Sequence, residues 1–358
     1  MAARRVLILW AEPGSTNLGV RVLAQGTAAL ARQALGEIEV EHQGYGPGDS
    51  PVALGSQKRM AARLVRPDAV IEWLRGFDLV LDTRAGDSFA DIYGGPRHRR
   101  MTLMYEAVRR AGVPVVLAPQ TVGPFDTRQG RWLGRRTLRS AALTMARDTR
   151  SFETARALGA RRSLLTTDVC FALPRPERAD DLDVVLNVSG LLWGPNPHVD
   201  HQRYQAVVRQ LLQRLQQDGR SVTLLAHVID SPLPDNDVPV VRALGEELGL
   251  PVVVPTDVAD VRACLSGARV LLGSRMHACL NALSVGTPTV PLAYSRKFKP
   301  LLDRIGWPGT VDLRDDGDLV GRAMTMVDAP GAQERALEVR GRAQADIAVA
   351  ADALAGVV

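Results

Sequence analysis

In the stretch GSRMHACLNALSVGTPTVPLAYSRKFKPLL, Gly273 to Leu302, an arginine and a histidine stand two residues apart before a short apolar helix. A tyrosine and three cations, Arg296, Lys297 and Lys299, follow the next apolar run. Fixed guanidinium and ammonium groups hold phosphates and carboxylates, and a histidine can move a proton near neutral pH. The run ARVLLGS reads as a buried strand, MHACLNALSVG as a helix and TPTVPLAY as the next strand. Arg275 and His277 therefore sit at one strand end, and Tyr294 and Lys297 at the neighbouring one, beside helix starts whose dipoles also favour anions. A structural histidine is the plain alternative. An R-x-H at a strand-helix junction, with cations at the adjacent junction, favours an anion site.

Other strand ends carry further candidates. In AEPGSTNLGVRVLAQG, glycine and Asn17 form a strand-to-helix turn. Its amides, at the start of a helix expected near Val20, could hold an anion or a polar substrate. The turn is neither a Walker loop nor GxGxxG, and an ordinary tight turn is the other reading. The loop RAGDSFADIYGG places Asp87, Ser88, Asp91 and Tyr93 together. Such a loop can bind sugar hydroxyls or supply a carboxylate for acid/base work, or it can be simple turn chemistry. QTVGPF reads as pocket floor. In MARDTRSFETARALG, Arg147 ends a strand and either grips an anion bidentately or is clamped to Asp148; TTDVCFALP puts Asp168 at a further strand end. DTRQGRWLGRRTLR bears five arginines on a helix, a pattern that is ordinarily a solvated basic face and otherwise a polyanion site. His198 and His201, with Asp200, follow the first strand of the second half. His198 is placed among the substrate-binding residues; as a metal site the cluster is too loose and reads as loop polarity.

The elements that must position these residues form two sets. RRVLILW, EIEVEH, FDLVLDT, VPVVLAPQ and ALTMARD recur in the first half, and LDVVLNVS, SVTLLAHV, LPVVVPT, ARVLLGS and TPTVPLAY in the second. Continuous apolar strands alternating with helices signal parallel sheets covered on both faces. The chain, at 358 residues, is too long for one ordinary core. The expected fold is α/β: two Rossmann-like parallel-sheet domains facing a central cleft. An N-terminal domain is expected over 1–175, a C-terminal domain over 181–330, and a closing helix over 331–358 that packs near the seam. The seam falls in LPRPERADDLD, Leu173 to Asp183, where prolines and charges break the apolar rhythm. Open α/β sheets bind ligands beyond the carboxyl ends of their strands, hence the attention to strand ends.

Composition narrows the classes. No apolar run approaches the roughly 18 residues of a membrane span, and the first apolar run lacks the length and cleavage site of a secretory signal. Three widely spaced cysteines, Cys170, Cys264 and Cys279, make neither a disulfide framework nor a zinc motif. A reducing, cytoplasmic setting is expected. The net charge of +5, with pI near 9.4, suits anionic ligands. Aromatics, at 4%, are not interleaved with the basic residues as base stacking on nucleic acid requires, so nucleic acid is not expected as a partner.

The ordered signals STNLGVRVL, GDSFADIYG, APQTVGPF, ARDTRSFETARALG, TTDVCFAL and SRMHACLNALSVGTPTVPLAYSRKF span most of residues 4–305. Together they resemble the polysaccharide pyruvyl transferase family. The resemblance implies a GT-B-like architecture and transfer of pyruvate from phosphoenolpyruvate onto two hydroxyls of a sugar or glycan, giving a cyclic ketal and phosphate. It gives the acceptor side to the N-terminal domain and the donor side to the C-terminal one. It carries the family's R-x-H onto Arg275 and His277 and its Y-x-x-K onto Tyr294 and Lys297. Many members have an aspartate after the N-x-G of the first loop; Val20 stands there in this chain.

Phosphoenolpyruvate bears a phosphate and a carboxylate, so its site needs cations of fixed geometry, and Arg147, Arg275 and Lys297 are the choices. Protonation of the methylene carbon requires a general acid, and hydroxyl attack a general base. His277 takes one role and a carboxylate of the Asp87 to Asp91 loop the other. Asn17, Ser88, Tyr93, Tyr294 and His198 complete the expected substrate contacts. No step demands a metal or a resident cofactor, and a homo-oligomer is compatible with the sequence. Two other readings compete: a GT-B nucleotide-sugar glycosyltransferase and a non-catalytic protein that binds an anionic polymer.

Overall fold

The computed structural model describes residues 3–45, 68–177 and 181–358. The chain forms two compact units, one from residues 1–14, 23–173 and 343–358, the other from 15–22 and 174–342.

The first unit holds β1 (Arg4–Leu9), most of α1 (Leu18–Leu35), β2 (Ile38–Gln43), α2 (Asp68–Arg75), β3 (Leu79–Asp82), α3 (Gly95–Ala111), β4 (Val115–Gln120), α4 (Arg128–Ser140), β5 (Leu143–Ala146), α5 (Thr149–Ala157) and β6 (Ser163–Leu165). Its six strands are parallel in the order β2-β1-β3-β4-β5-β6. β3, β4 and β5 are buried at every position, which is why they read in sequence as unbroken apolar runs rather than as alternation. The order turns back on itself between β1 and β3, where Val6 pairs with Leu79 and Leu9 with Asp82.

The second unit holds β7 (Leu182–Asn187), α6 (Gly190–Trp193), α7 (His201–Gln217), β8 (Val222–Leu225), α8 (Val238–Leu248), β9 (Val252–Val253), α9 (Val258–Gly267), β10 (Ala268–Gly273), α10 (Met276–Val285), β11 (Thr289–Ala293), α11 (Phe298–Ile305), β12 (Val311–Asp312) and α12 (Leu319–Val327). Its order is β12-β11-β10-β7-β8-β9, the doubly wound order of a dinucleotide-binding sheet, with its switch point between β7 and β10. Register across that point runs from Ala268 opposite Leu182 to Gly273 opposite Asn187. The residues after these two strands therefore emerge side by side. A core of Val184, Leu186, Leu211, Leu224, Leu271 and Leu292 fixes the sheet beneath them.

All ten runs read from sequence hold strands; β12, two residues long, is absent from that reading, and β6, three residues long, enters it only through the strand end placed before Asp168. The first helix begins at Leu18 rather than near Val20. Ser15–Val22 groups with the second unit because its backbone bonds there: Leu18 N–H donates to His227 O at 3.1 Å and Ile229 N–H to Thr16 O at 2.8 Å. The last helix, α13 (Ala332–Ala355), belongs to the second unit as far as Arg342 and to the first beyond it. The main change of unit falls between Leu173 and Pro174; residues 178–180 of the expected seam lie outside the described residues.

Candidate functional site

The switch point of the second unit is organised by Asp237, a residue the sequence reading passed over. Its fully buried carboxylate accepts from Gly190 N–H at 2.7 Å on one oxygen and from His227 N–H and Val228 N–H, both at 3.0 Å, on the other. The first oxygen also takes Arg275 Nη2 at 2.6 Å and Nε at 3.3 Å. One side chain thus joins the segments after β7, β8 and β10. Gly190 is required at its position, because a Cβ there would lie 2.0 Å from the carbonyl of Asn236.

Arg275 is accordingly not the open anion ligand expected of it. Burial works against its charge, but the Asp237 carboxylate outweighs this and holds its pKa above the ordinary arginine value. Its backbone is pinned as well, since its N–H donates to Asn187 Oδ1 at 2.9 Å while Asn187 Nδ2 donates to Leu225 O at 3.0 Å. Beside it, Tyr204 Oη accepts from Ser189 N–H at 2.9 Å and donates to Ser274 Oγ at 2.8 Å. Burial pushes that phenol up to about 12, so it stays a neutral strut.

His277 follows on the first turn of α10, half-buried. The turn at Asn17 packs against it: a Cβ at Gly19 would stand 2.8 Å from His277 Nδ1 and 3.0 Å from Asn17 Oδ1. Only glycine lets the backbone approach the ring so closely. Asn17 serves as the cap of α1, its Oδ1 accepting from Gly19 N–H at 2.9 Å.

A second histidine stands behind the first. His227, at the end of β8, is buried, and its pKa falls to about 3 through desolvation first and then the nearby His277 and Arg275. Asn281 Nδ2 lies 3.2 Å from its Nε2, and Arg262 Nη1 approaches Asn281 Oδ1 at 3.5 Å. The arginine can only donate, so the amide oxygen faces it and the amide nitrogen faces the imidazole. His227 then accepts at Nε2 and carries its proton on Nδ1. The strand-end rule pointed equally to this residue, within SVTLLAHV, but the sequence reading did not single it out.

The next junction supplies an aromatic and cationic wall. The His198 ring lies 5.3 Å from that of Tyr294, which meets Phe298 at 5.6 Å on its other side. Partial burial, and then the Lys297 cation, lower the His198 pKa. Asn17, Arg275 and His277 thus gather at the end of β10, and His198, Tyr294 and Lys297 at the end of β11, the neighbouring strand of this unit. Asp200, next to His198, is taken up as the cap of α7, accepting from Gln202 N–H at 2.9 Å.

In the first unit the polar loop after β3 divides in two. Asp87 accepts from Tyr93 Oη at 2.9 Å and from Ser88 Oγ at 3.3 Å, and it remains partly exposed. Asp91 is otherwise engaged: it accepts from Asp126 N–H at 2.9 Å, Thr127 N–H at 2.8 Å and Thr127 Oγ1 at 2.6 Å. Burial alone would raise its carboxyl pKa, but these donors outweigh it and lower the value. Asp91 therefore holds the entry to α4, its carboxylate occupied by three donors. Arg147 is also committed, with Nη1 on Asp168 at 2.7 Å and Nε on Thr121 at 3.1 Å, both charged groups buried. The partner is Asp168, not the adjacent Asp148, which caps α5 by accepting from Ser151 N–H at 2.8 Å.

Among the described residues no helix is long and apolar enough to cross a membrane, and no group of three His, Cys, Asp or Glu is placed to hold a metal ion.

The family model for polysaccharide pyruvyl transferase matches residues 43–296. No curated protein matches the chain. Among solved structures, the UDP-GlcNAc 2-epimerase from Neisseria meningitidis bound to UDP-GlcNAc is 11% identical, with 98% of this chain and 99% of that one covered and a TM-score of 0.61. The UDP-GlcNAc 2-epimerase from Methanocaldococcus jannaschii is 11% identical, at 92% and 94% coverage and 0.54. An Anabaena protein in complex with UDP and glucose is 13% identical, at 97% and 96% coverage and 0.51. At such identities the likeness is one of fold, that of GT-B-like chains with two Rossmann-like units.

Proposed function

Because the chain belongs to the polysaccharide pyruvyl transferase family, we propose that it moves pyruvate from phosphoenolpyruvate onto two hydroxyls of a sugar or glycan, forming a cyclic ketal and releasing inorganic phosphate. The observation that carries this reading is the cluster at the switch point of the second unit. There a half-buried histidine follows β10, and the Tyr294, Lys297 and His198 wall stands at the end of β11, the adjacent parallel strand.

The proton inventory assigns the roles. Protonation of the methylene carbon makes the adjacent carbon oxocarbenium-like, and a first hydroxyl attacks it. The bond from that carbon to the phosphate oxygen then breaks, phosphate leaves, and the second hydroxyl closes the ketal. Two hydroxyl protons are released; the methyl group gains one and phosphate the other. His277 is the proton carrier on the donor side, fixed by the close approach of Gly19. His227, neutral at working pH, adds no fixed positive charge beside it. Lys297 and Tyr294 meet the donor's anionic groups, with Lys297 supplying positive charge at the end of β11. Asp87, oriented by Tyr93 and Ser88, is the second proton carrier.

The test is phosphate release from phosphoenolpyruvate across a panel of sugars and glycans, with mass spectrometry of the acceptor. Expected is an acceptor mass increased by one pyruvate less one water. Several chains of this fold hold UDP or UDP-GlcNAc, so nucleotide sugars form the second arm. Turnover there with release of a nucleoside diphosphate, and none with phosphoenolpyruvate, would overturn the proposal.

A further inference from the structure

Helices α3 and α4 carry ten arginines and one acidic residue, Glu106. Their charge of +9, set against +5 for the whole chain, leaves every other residue together at −4. The excess of positive charge is therefore not spread over the protein; it is gathered on two helices. They pack together, with Tyr105 Oη donating to Thr137 O at 3.1 Å. Glu106 is shared by Arg109 at 3.0 Å and Arg136 at 2.7 Å, which leaves Arg135 and Arg139 with no carboxylate on either helix. Arg139 lies over Gly159, where a Cβ would come within 3.3 Å of its Cγ.

These side chains line a surface hollow of about 530 Å³ with Arg161 and Trp132. Trp132 is also shared with a smaller apolar hollow of about 240 Å³, formed with Leu103 and Leu133. Trp132 is 61% exposed and Leu103 42%, although neither needs to face water. Arg136 stands 5.9 Å over the indole. Exposed arginines flanking an exposed indole and leucine are the side-chain set of a helix that lies in a lipid headgroup layer. The cations meet phosphate and the apolar groups reach the acyl boundary. A single strand of nucleic acid stacks its bases on successive aromatic faces, and this surface presents a single indole, with Leu103 and Leu133 beside it in place of further rings.

We propose that the exposed face of α3 and α4 docks on a membrane surface rich in anionic phospholipid. The inference stands apart from the proposed reaction, since none of these residues belongs to the switch-point cluster.

Cosedimentation of the full chain with vesicles tests it, comparing phosphatidylcholine alone with a mixture containing phosphatidylglycerol. Expected is binding at least about tenfold tighter to the anionic vesicles and reversed by high salt. The double variant Arg135→Glu/Arg139→Glu should lose it, and Trp132→Ser should weaken it severalfold at unchanged circular dichroism. The milder pair Arg135→Gln/Arg139→Gln serves if the charge reversal impairs folding. Equal binding to both vesicle types overturns the proposal, as does undiminished binding by the arginine variants. So does tighter binding to soluble polyphosphate or nucleic acid that Trp132→Ser leaves intact, because the site would then be a polyanion groove.

Discussion

Arg275 and Asp237 form a buried ion pair, Nη2 to Oδ1 at 2.6 Å, in which the carboxylate is also the acceptor for three backbone amides from two other strand ends. Removing one partner strands the other charge without water. Asp237→Ala should therefore cost about 3–5 kcal/mol of unfolding free energy, read by chemical denaturation. Asp237→Asn, which keeps the shape but not the charge, should also fall well below the parent. A loss under about 1 kcal/mol would mean that the pair does not organise the switch point.

Acid should weaken the fold through two histidines. Burial and then the Arg84 cation lower His98 to about 4, and His227 sits at about 3. Both are depressed below the unfolded value near 6.5, so the unfolded chain binds protons first as pH falls. Their contribution is intact above about pH 6.5 and is lost progressively towards 3–4, each group adding up to about 1.4 kcal/mol per pH unit. Denaturation midpoints from pH 7 to 4.5 measure this, and His227→Gln should flatten the slope. An unchanged slope would place His227 outside the titration.

Asp87 and Asp91 should separate cleanly. Asp91→Asn removes a charged acceptor for three donors and should lower stability by about 1–3 kcal/mol with little change in kcat. Asp87→Asn should lower kcat about 10²-fold or more at nearly unchanged Tm. The opposite pattern would exchange their roles.

Gly19 and His277 offer a further pair. His277→Ala should reduce kcat about 10²- to 10⁴-fold. In Gly19→Ala, a new methyl pressed against the imidazole should lower kcat about tenfold or more by misplacing the ring, with the KM for phosphoenolpyruvate changing less. An active Gly19→Ala enzyme would show that the ring needs no such confinement.

Lys297→Met should raise the KM for phosphoenolpyruvate. It should also raise the His198 pKa, because a neighbouring cation that disfavours the imidazolium is gone. Proton NMR of the His198 ring across pH follows the second effect, and a His198 titration that does not move would separate the two side chains.

The fold was legible because parallel strands buried on both faces leave unbroken apolar runs, and every such run proved to hold a strand. The strand-end rule was sound as geometry: Arg275 and His277 do follow β10, and Tyr294 does follow β11. Partnerships across long stretches of chain were not legible. Asp237 lies in LPDNDVPVV, where an acid before a helix looks like a cap, and nothing local reveals that it gathers amides from two other segments. Arg147 and Asp168 are 21 residues apart, so the adjacent Asp148 drew attention to the wrong carboxylate. Two expected anion-binding arginines thus became internal counter-ions, a distinction set by burial and invisible in residue type.

The segment Ser15–Val22 has a consequence for heredity as well as geometry. A gene fragment encoding residues 174–342 would not specify the second unit, because the piece whose Leu18 amide meets His227 and whose Gly19 confines His277 is encoded more than 150 codons upstream. A second unit cut out as one continuous stretch would therefore leave part of its own site behind.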